Sequence, residues 1–410
     1  MKRINALINA YACSPNMGSE PGMAWNWCIH LAKYCELHII TEGEFRDKIE
    51  ASLSILPQAK NMHFYYNPLS EEIRKMCWNQ GDWRFYKHYR NWQKSTLEIT
   101  KEIIAKEKID IVHQLNMIGF REPGYLWKIE KIPFVWGPLD AKESFPVAYL
   151  EGAGLKAKLF IRLKNFLTKL QLRYSGRVRT AIRRASVVVS ASSNSQTTLK
   201  KYFGIDSPLL NETGCYVKEM PLADTSLKKE LDLLWVGKLD FRKQLALAIR
   251  SVAAAKNPLL KLHIVGGGDD HIYKRLAADL GVDNQCVWHG VVSHAEVQTI
   301  MQQADLFFFT SVAEGTPHVV LEAISNNLPV LCFDTCGQGD SVNDKIGRKI
   351  PLTNPVQSVK DFARELNHLY SDREILHKMS ENCKERQLEL SWDVKSQKMI
   401  DLYKSVLKKQ

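Results

Sequence analysis

The chain lacks any apolar run near the roughly 20 residues that cross a bilayer. Its most apolar stretch, Ala304 to Val312 around Phe307-Phe308-Phe309, has the length of a buried strand, which excludes a membrane-spanning protein. The 9 cysteines include no C-x-x-C pair, and Cys332 and Cys336 have no nearby Cys or His pair to complete a zinc site. Reduced thiols and a cytoplasmic compartment are therefore expected, with the inner face of the cytoplasmic membrane as the second expectation. Internal repeats and low-complexity tracts are also missing. With 45% hydrophobic and 25% charged residues, a disordered or collagen-like polymer is excluded. Met1-Lys2-Arg3 and the apolar residues up to Ala12 imitate a secretory signal, but Asn5 and Asn9 interrupt them. A glycine-bearing turn follows, so a first strand is expected there.

One sign of charge is also missing locally. Between Gly152 and Ile205 there is no acidic residue against 12 Lys and Arg, in a chain of net charge +11. A solvated helical face, an anionic membrane surface, a phosphorylated acceptor and nucleic acid all fit such a block. Leu159, Leu163, Phe166, Leu167 and Leu170 recur at helical spacing as one apolar stripe. At roughly 100° per residue, Lys158, Arg162, Lys169 and Arg173 fall in one sector beside it. A basic flank on an apolar face suits shallow insertion at an anionic membrane; the alternative is that the stripe packs on a sheet and the cations are solvated. Nucleic acid is disfavoured, because few aromatics are interleaved with the cations.

What is present is 410 residues, enough for two domains. Apolar strands alternate with helical patterns, which predicts parallel sheets built from βαβ units. One series runs from Ile4 to Ser190 and another from Leu231 to Phe333. Gly, Pro and Asn between Gly204 and Gly214 mark a linker. Boundaries at 1–208 and 215–390 follow, with the last helix, 392–410, coming after the second domain is complete. Two doubly wound halves would place ligands at the carboxyl ends of their strands.

The most informative stretch is Ser311 to Ala323. A strand runs into Glu314-Gly315-Thr316-Pro317 and then into a helix opening at His318-Val319. The first turn of a helix presents unpaired N–H groups and the positive end of its dipole, which favour an anion. Glu314 precedes that helix and Glu322 lies about one turn inside it, so two carboxylates can address groups beside the anion. Ordinary capping acids are the alternative. Leu233 to Lys243 is a strand ending at Gly237, followed by Lys238 and Lys243, which suit a diphosphate or are surface lysines. Gly266-Gly267-Gly268 is a tight turn or a phosphate cradle.

Taken together, these residues resemble the retaining glycosyltransferases of family 4. Glu314 and Glu322 match the family's E-x7-E, and Val236-Gly237-Lys238-Leu239 through Lys243 resembles V-G-R-L-x-x-x-K. Ile264-Val265-Gly266-Gly267-Gly268 is similar to I-V-G-x-G, and Trp288-His289-Gly290 to F-x-G. Gly18-Ser19-Glu20-Pro21-Gly22 resembles a subgroup's glycine loop, Asp110-Ile111-Val112-His113 its D-x-V-H, and Gly137-Pro138-Leu139-Asp140 its G-P-x-G. The resemblance implies an α/β GT-B fold: two Rossmann-like domains, a cleft between them and a C-terminal crossover helix. It implies that Glu314 contacts the donor sugar and Glu322 the ribose, and that Lys238 and Lys243 stabilise the leaving diphosphate. It further implies that Gly18, Gly266, Gly268, Thr316, Pro317, His318 and Val319 line the donor, and that His113 bonds the sugar or phosphate unless it is a satisfied core histidine.

The expected activity is retaining, metal-independent transfer from a UDP- or GDP-sugar to a glycan or lipid-linked acceptor, with no cofactor, no metal ligand set and no nucleic acid. Polysaccharide synthesis at the cell surface is the implied setting. A sugar-nucleotide epimerase on the same architecture and a non-enzymatic basic binding protein are the alternatives.

Overall fold

The computed structural model describes residues 3–79, 82–220 and 228–409. The chain divides into two compact units, one made of Met1–Glu143, Lys169–Thr213 and Trp392–Gln410, the other of Ser144–Thr168 and Gly214–Ser391. Residues 144–168, which the sequence division places in the first domain, group with the second unit.

Unit 1 is built on β1 (Ile4–Ala10), β2 (Cys35–Thr41), β3 (Met62–Tyr66), β4 (Ile111–Asn116), β5 (Phe134–Leu139) and β6 (Val187–Ser190). These pair in parallel in the order β3-β2-β1-β4-β5-β6. Every residue of β4 and β5 is buried, as expected for strands covered on both faces. Unit 2 repeats the plan with β7 (Leu231–Val236), β8 (Leu260–Val265), β9 (Cys286–Gly290), β10 (Leu306–Phe309), β11 (Val330–Phe333) and β12 (Gly347–Ile350). Its order is β12-β11-β10-β7-β8-β9. In each sheet the winding direction reverses once, between β1 and β4 and between β7 and β10. Ligands of doubly wound sheets bind outside the carboxyl ends of the strands at that reversal.

Local chemistry accounts for many boundaries. Ser293 and Glu296 form a capping box at the helix His294–Gln303. Asn354 caps the helix Pro355–Ser371, whose proline lies in the first turn. Gly204, at φ 70°, ends the helix Ser193–Phe203. The stretch from Glu71 to Lys106 forms two helices, Glu71–Trp78 and Phe85–Lys106, with residues 80 and 81 outside the described residues. β12 was not expected, because four residues with Arg348 and Lys349 at the centre give little alternation to read.

The helix Trp392–Leu407 belongs to unit 1 and closes its core. Trp392, Met399, Ile400 and Tyr403 are buried with Trp27 and Leu31. The Trp27 and Trp392 rings meet edge to face at 5.6 Å, and Trp27 Nε1 donates to the Glu212 carbonyl at 2.7 Å.

The helix Leu155–Tyr174 is turned the opposite way from most amphipathic helices. It buries Ile161, Thr168 and Leu172, while Leu159, Leu163, Phe166, Leu167 and Leu170 are 37–71% exposed. The alternative that this stripe packs on a sheet is therefore not what the structure shows. Buried and exposed positions lie on opposite sides of the helix at 100° per residue.

Candidate active site

In unit 2 the loops after β7, β8 and β10 come together. Gly266 has φ +148°, and a Cβ on it would lie 1.8 Å from the Gly237 carbonyl oxygen. Gly268 has φ +143°, with Leu239 Cβ 2.7 Å from the same imagined atom. Leu239 N–H donates to the Gly267 carbonyl at 2.9 Å. Glycine at 266 and 268 is thus required by the close approach of the loop that carries the lysines.

That approach positions Lys243. Its Nζ lies 2.5 Å from Glu314 Oε1, and Ser311 Oγ donates to the same oxygen at 2.5 Å. Both charged side chains are mostly buried, about 20% exposed, so the pair is held in a low-dielectric setting. Lys243 also sits 5.5 Å from the centre of the Phe309 ring. Lys238, by contrast, is exposed, and no ion pair to it is found among the described residues. Arg242, between the two lysines in sequence, is tied to Asp240 at 2.6 Å.

The loop carrying Glu314 is braced from below. Gly337 N–H donates to the Gly315 carbonyl at 2.9 Å, and any Cβ at Gly337 would strike Thr316 at 2.4 Å. Gln338 Nε2 donates to the Ser311 carbonyl at 3.1 Å. The helix His318–Ser325 follows, with Pro317 at its N-cap and no capping side chain. Burial lowers the pKa of His318, with Glu322 opposing that shift, so the ring is neutral at pH 7. Glu322 lies 3.4 Å from His294 Nε2 and 3.4 Å from Gln298 Nε2. Gln298 in turn accepts from Lys218 Nζ at 2.7 Å. Burial lowers the Lys218 pKa, with Glu322 pulling it back up. Val319 is half-buried and Thr316 buried. Ser311, Gln338, Gln298, His294 and Lys218 carry no motif of their own; only Ser311, three residues before Glu314, had a local signal. Asp269, Asp270 and His271 bring three ligand atoms within 4.8 Å of one another, but they are mostly exposed and Asp270 is bound to Lys274 at 2.8 Å.

Two unit 1 residues stand differently from expectation. His113 is fully buried, with Nδ1 2.5 Å from Tyr403 Oη and Nε2 2.5 Å from the Gly137 carbonyl. Both nitrogens are engaged inside unit 1, so the imidazole is a core group rather than one offered to a sugar or phosphate. Gly18 has φ −85° and open space where a Cβ would stand. The fold itself does not demand glycine there. Gly22 is the one it demands, since a Cβ would lie 1.7 Å from the Met17 carbonyl oxygen. Asp140 is raised by burial, with Lys142 opposing, and its Oδ1 accepts from Ser195 Oγ at 3.2 Å.

Burial also lowers the His113 pKa to about 4. The imidazole, depressed in the folded state, contributes stability above its unfolded pKa, and this is lost as pH falls from 6.5 towards 4. Glu20 has the opposite sign: burial pushes it up to about 7, against the pull of the Ile118 N–H, so its ionisation costs stability as pH rises from 4.5 to 7. The two slopes oppose each other in wild type. The stability difference between wild type and His113→Gln, from urea unfolding, should therefore shrink by about 2 kcal/mol between pH 7 and pH 4.5. A pH-independent difference would mean that the ring is not held neutral.

The architecture and the loop cluster define a two-domain GT-B protein. Over 98% of its length the chain superposes on 99% of the lipopolysaccharide outer core galactosyltransferase WaaB, with a TM-score of 0.63 at 16% identity. It also superposes on Anabaena HepE in complex with UDP and glucose, over 98% of this chain and all of that one, at 0.59 and 14%. Residues 222–386, which hold the whole loop cluster, match the family of glycosyl transferases group 1. Among curated relatives, a lipopolysaccharide 1,6-galactosyltransferase of Salmonella typhimurium is 30% identical over 145 residues, 34% of this chain and 39% of that protein. A Campylobacter jejuni N,N'-diacetylbacillosaminyl-diphospho-undecaprenol alpha-1,3-N-acetylgalactosaminyltransferase is 22% identical over 308 residues, 72% of this chain and 76% of that one. Several curated relatives are matched over less than half of their own length.

Proposed function

We propose that the chain transfers a sugar from a UDP- or GDP-sugar to a glycan or lipid-linked acceptor, with retention of configuration and without a metal. The observation that carries this reading is the Lys243–Glu314 pair beside the amino end of the helix His318–Ser325. A diphosphate at that helix end would meet the dipole and draw Lys243 away from Glu314. Glu314, released from the cation, would accept hydrogen bonds from the donor sugar, while Glu322 takes the ribose hydroxyls. Retention fits front-side substitution, in which the departing phosphate oxygen takes the acceptor proton as the new glycosidic bond forms. A thermal-shift panel of UDP-, GDP- and ADP-sugars tests the donor. A true donor at 100 times its Kd should stabilise unit 2 by about 2.7 kcal/mol, and Glu322→Ala should abolish most of that gain. EDTA should leave transfer intact. The donor reading fails if no nucleotide sugar moves the midpoint.

The acceptor is proposed to be held at an anionic membrane. The exposed apolar face of Leu155–Tyr174 lies beside a sector of cations, and contiguous exposed apolar surface marks an interaction site. Charge complementarity selects anionic lipid. Lys158 is half-buried and Lys169 lies 3.8 Å from Glu143, so Arg162 and Arg173 should contribute most, about 1 kcal/mol each. The Campylobacter relative's name specifies a diphospho-undecaprenol acceptor, in keeping with this reading. Co-sedimentation with phosphatidylglycerol vesicles should fall steeply with salt, and at least tenfold when Lys158, Arg162, Lys169 and Arg173 become Gln. Equal pelleting with neutral vesicles would overturn it.

A further inference from the structure

Gln244, the residue after Lys243, departs from its local surroundings in two ways. It is the N-cap of the helix Leu245–Ala255, yet its backbone is left-handed, at φ 56° and ψ 41°. Glycine and asparagine visit that region readily, and a longer side chain seldom does. Its side chain makes no capping bond to the helix, although N-caps are usually Ser, Thr, Asp or Asn that bond a free N–H. Strain of this kind persists where the surrounding structure enforces it, and such places are often functional.

The buried amide is used elsewhere. Gln244 Nε2 donates to the Phe241 carbonyl at 2.5 Å, which closes the turn that carries Lys243, and to the Tyr149 carbonyl at 2.8 Å. Tyr149 is itself anchored. Its ring is fully buried and meets Phe333 edge-on at 5.6 Å, and its hydroxyl lies 2.7 Å from Ser358 Oγ. Nearby, the Phe145 ring packs on Phe241 at 5.7 Å. Asn165, from the helix Leu155–Tyr174, exchanges two hydrogen bonds with the Phe145 backbone, both at 2.9 Å. Residues 145–165 thus form a strap on unit 2 that reaches the lysine turn through Gln244 and the Phe145–Phe241 contact.

The turn needs such a hold. Lysine carries its charge on a flexible four-carbon stem, so the place its ammonium can reach depends on how firmly its backbone is fixed. Thr310 Oγ1 donates to the Lys243 carbonyl at 2.9 Å and accepts from Trp235 Nε1 at 3.0 Å. Gln244 holds the next residue along. A shift of about 1 Å in a reacting group can slow a reaction about 10²-fold.

We infer that Gln244 is a positioning residue: its amide ties the strap to the turn that carries Lys243 and so sets where the ammonium meets the leaving diphosphate. The inference rests on the donor reading, in which Lys243 supplies that charge.

Steady-state release of nucleoside diphosphate tests it on the full chain. The probes are UDP-glucose, UDP-galactose, UDP-N-acetylglucosamine and GDP-mannose, and the one turned over fastest is used. Gln244→Met keeps the volume but lacks the donor, and Gln244→Gly removes the strain together with the amide. Each should lower kcat at least fivefold and change KM less than twofold. In a Lys243→Ala background, Gln244→Met should cause no further loss, because it acts through the lysine. Urea unfolding separates folding from positioning: Gln244→Gly should have a midpoint at or above that of Gln244→Ala, yet turn over no faster. The inference is overturned if Gln244→Met matches wild type, if its loss multiplies with that of Lys243→Ala, or if kcat follows the unfolding midpoint across the three variants. If none of the four sugars is turned over, or if Lys243→Ala matches wild type, the donor reading itself fails and the inference falls with it.

Discussion

Replacing Lys243 by alanine should lower turnover by about 10²-fold, the usual loss for one group stabilising charge that develops in a transition state. The structure adds a second expectation. Lys243 and Glu314 are bonded to each other at 2.5 Å, so a substitution of either also changes the other. Lys243→Ala leaves Glu314 partly buried, with Ser311 as its remaining donor at this oxygen. Such a carboxylate would repel an arriving diphosphate, weakening donor binding as well as slowing the reaction. The double variant Lys243→Ala, Glu314→Gln removes that repulsion. Its turnover should therefore lie near that of the worse single variant, rather than at the product of the two losses. Steady-state kinetics of the four proteins measure the coupling. Losses that simply multiply would mean that the two side chains act independently and that their contact is incidental.

Gly266→Ala should be the most damaging single methyl in unit 2. The added carbon would sit 1.8 Å from a backbone carbonyl oxygen, with φ at +148°. Backbone strain of this sort costs about 1–3 kcal/mol and overpacking about as much again. The sum, roughly 2–6 kcal/mol, is comparable with the whole stability of many domains. Urea unfolding followed through Trp235 or Trp288 should show it as a lower midpoint. An unchanged midpoint would require the Gly237 loop, and with it Lys243, to move at little cost. Gly267→Ala, with normal backbone and only Val291 Cγ2 nearby at 2.7 Å, is the milder comparison.

Apart from β12, the strands of both sheets were readable, and runs such as Val187 to Val189 and Phe307 to Phe309 are what two-sided burial requires. Glu314 and Lys243 were each readable from motif context. Their contact was not, because 71 residues separate them and no spacing rule spans that distance. His113 shows the limit from the other side. A histidine at a strand end has the same sequence whether it faces a ligand or the core, and its partner Tyr403 comes 290 residues later. For the helix Leu155–Tyr174 the stripe itself was legible but its direction was not. Its buried side, with Ile161, Thr168 and Leu172, is less apolar than its exposed one, which inverts the ordinary rule for reading such a helix.

The use of residues 392–409 in unit 1 also sets an order of events during synthesis. At about 5–20 residues per second, a ribosome spends roughly 10–40 s making unit 2 after Thr213 before Trp392 emerges. Until then Trp27 has no Trp392 beside it and His113 no Tyr403. The half of the chain made first must therefore wait to complete its core, while the half made second has all of its strands in one continuous stretch. Nascent chains arrested at about residue 300 should hold an open first unit that chaperones recognise, and release of the last helix from the exit tunnel is the step that seals it.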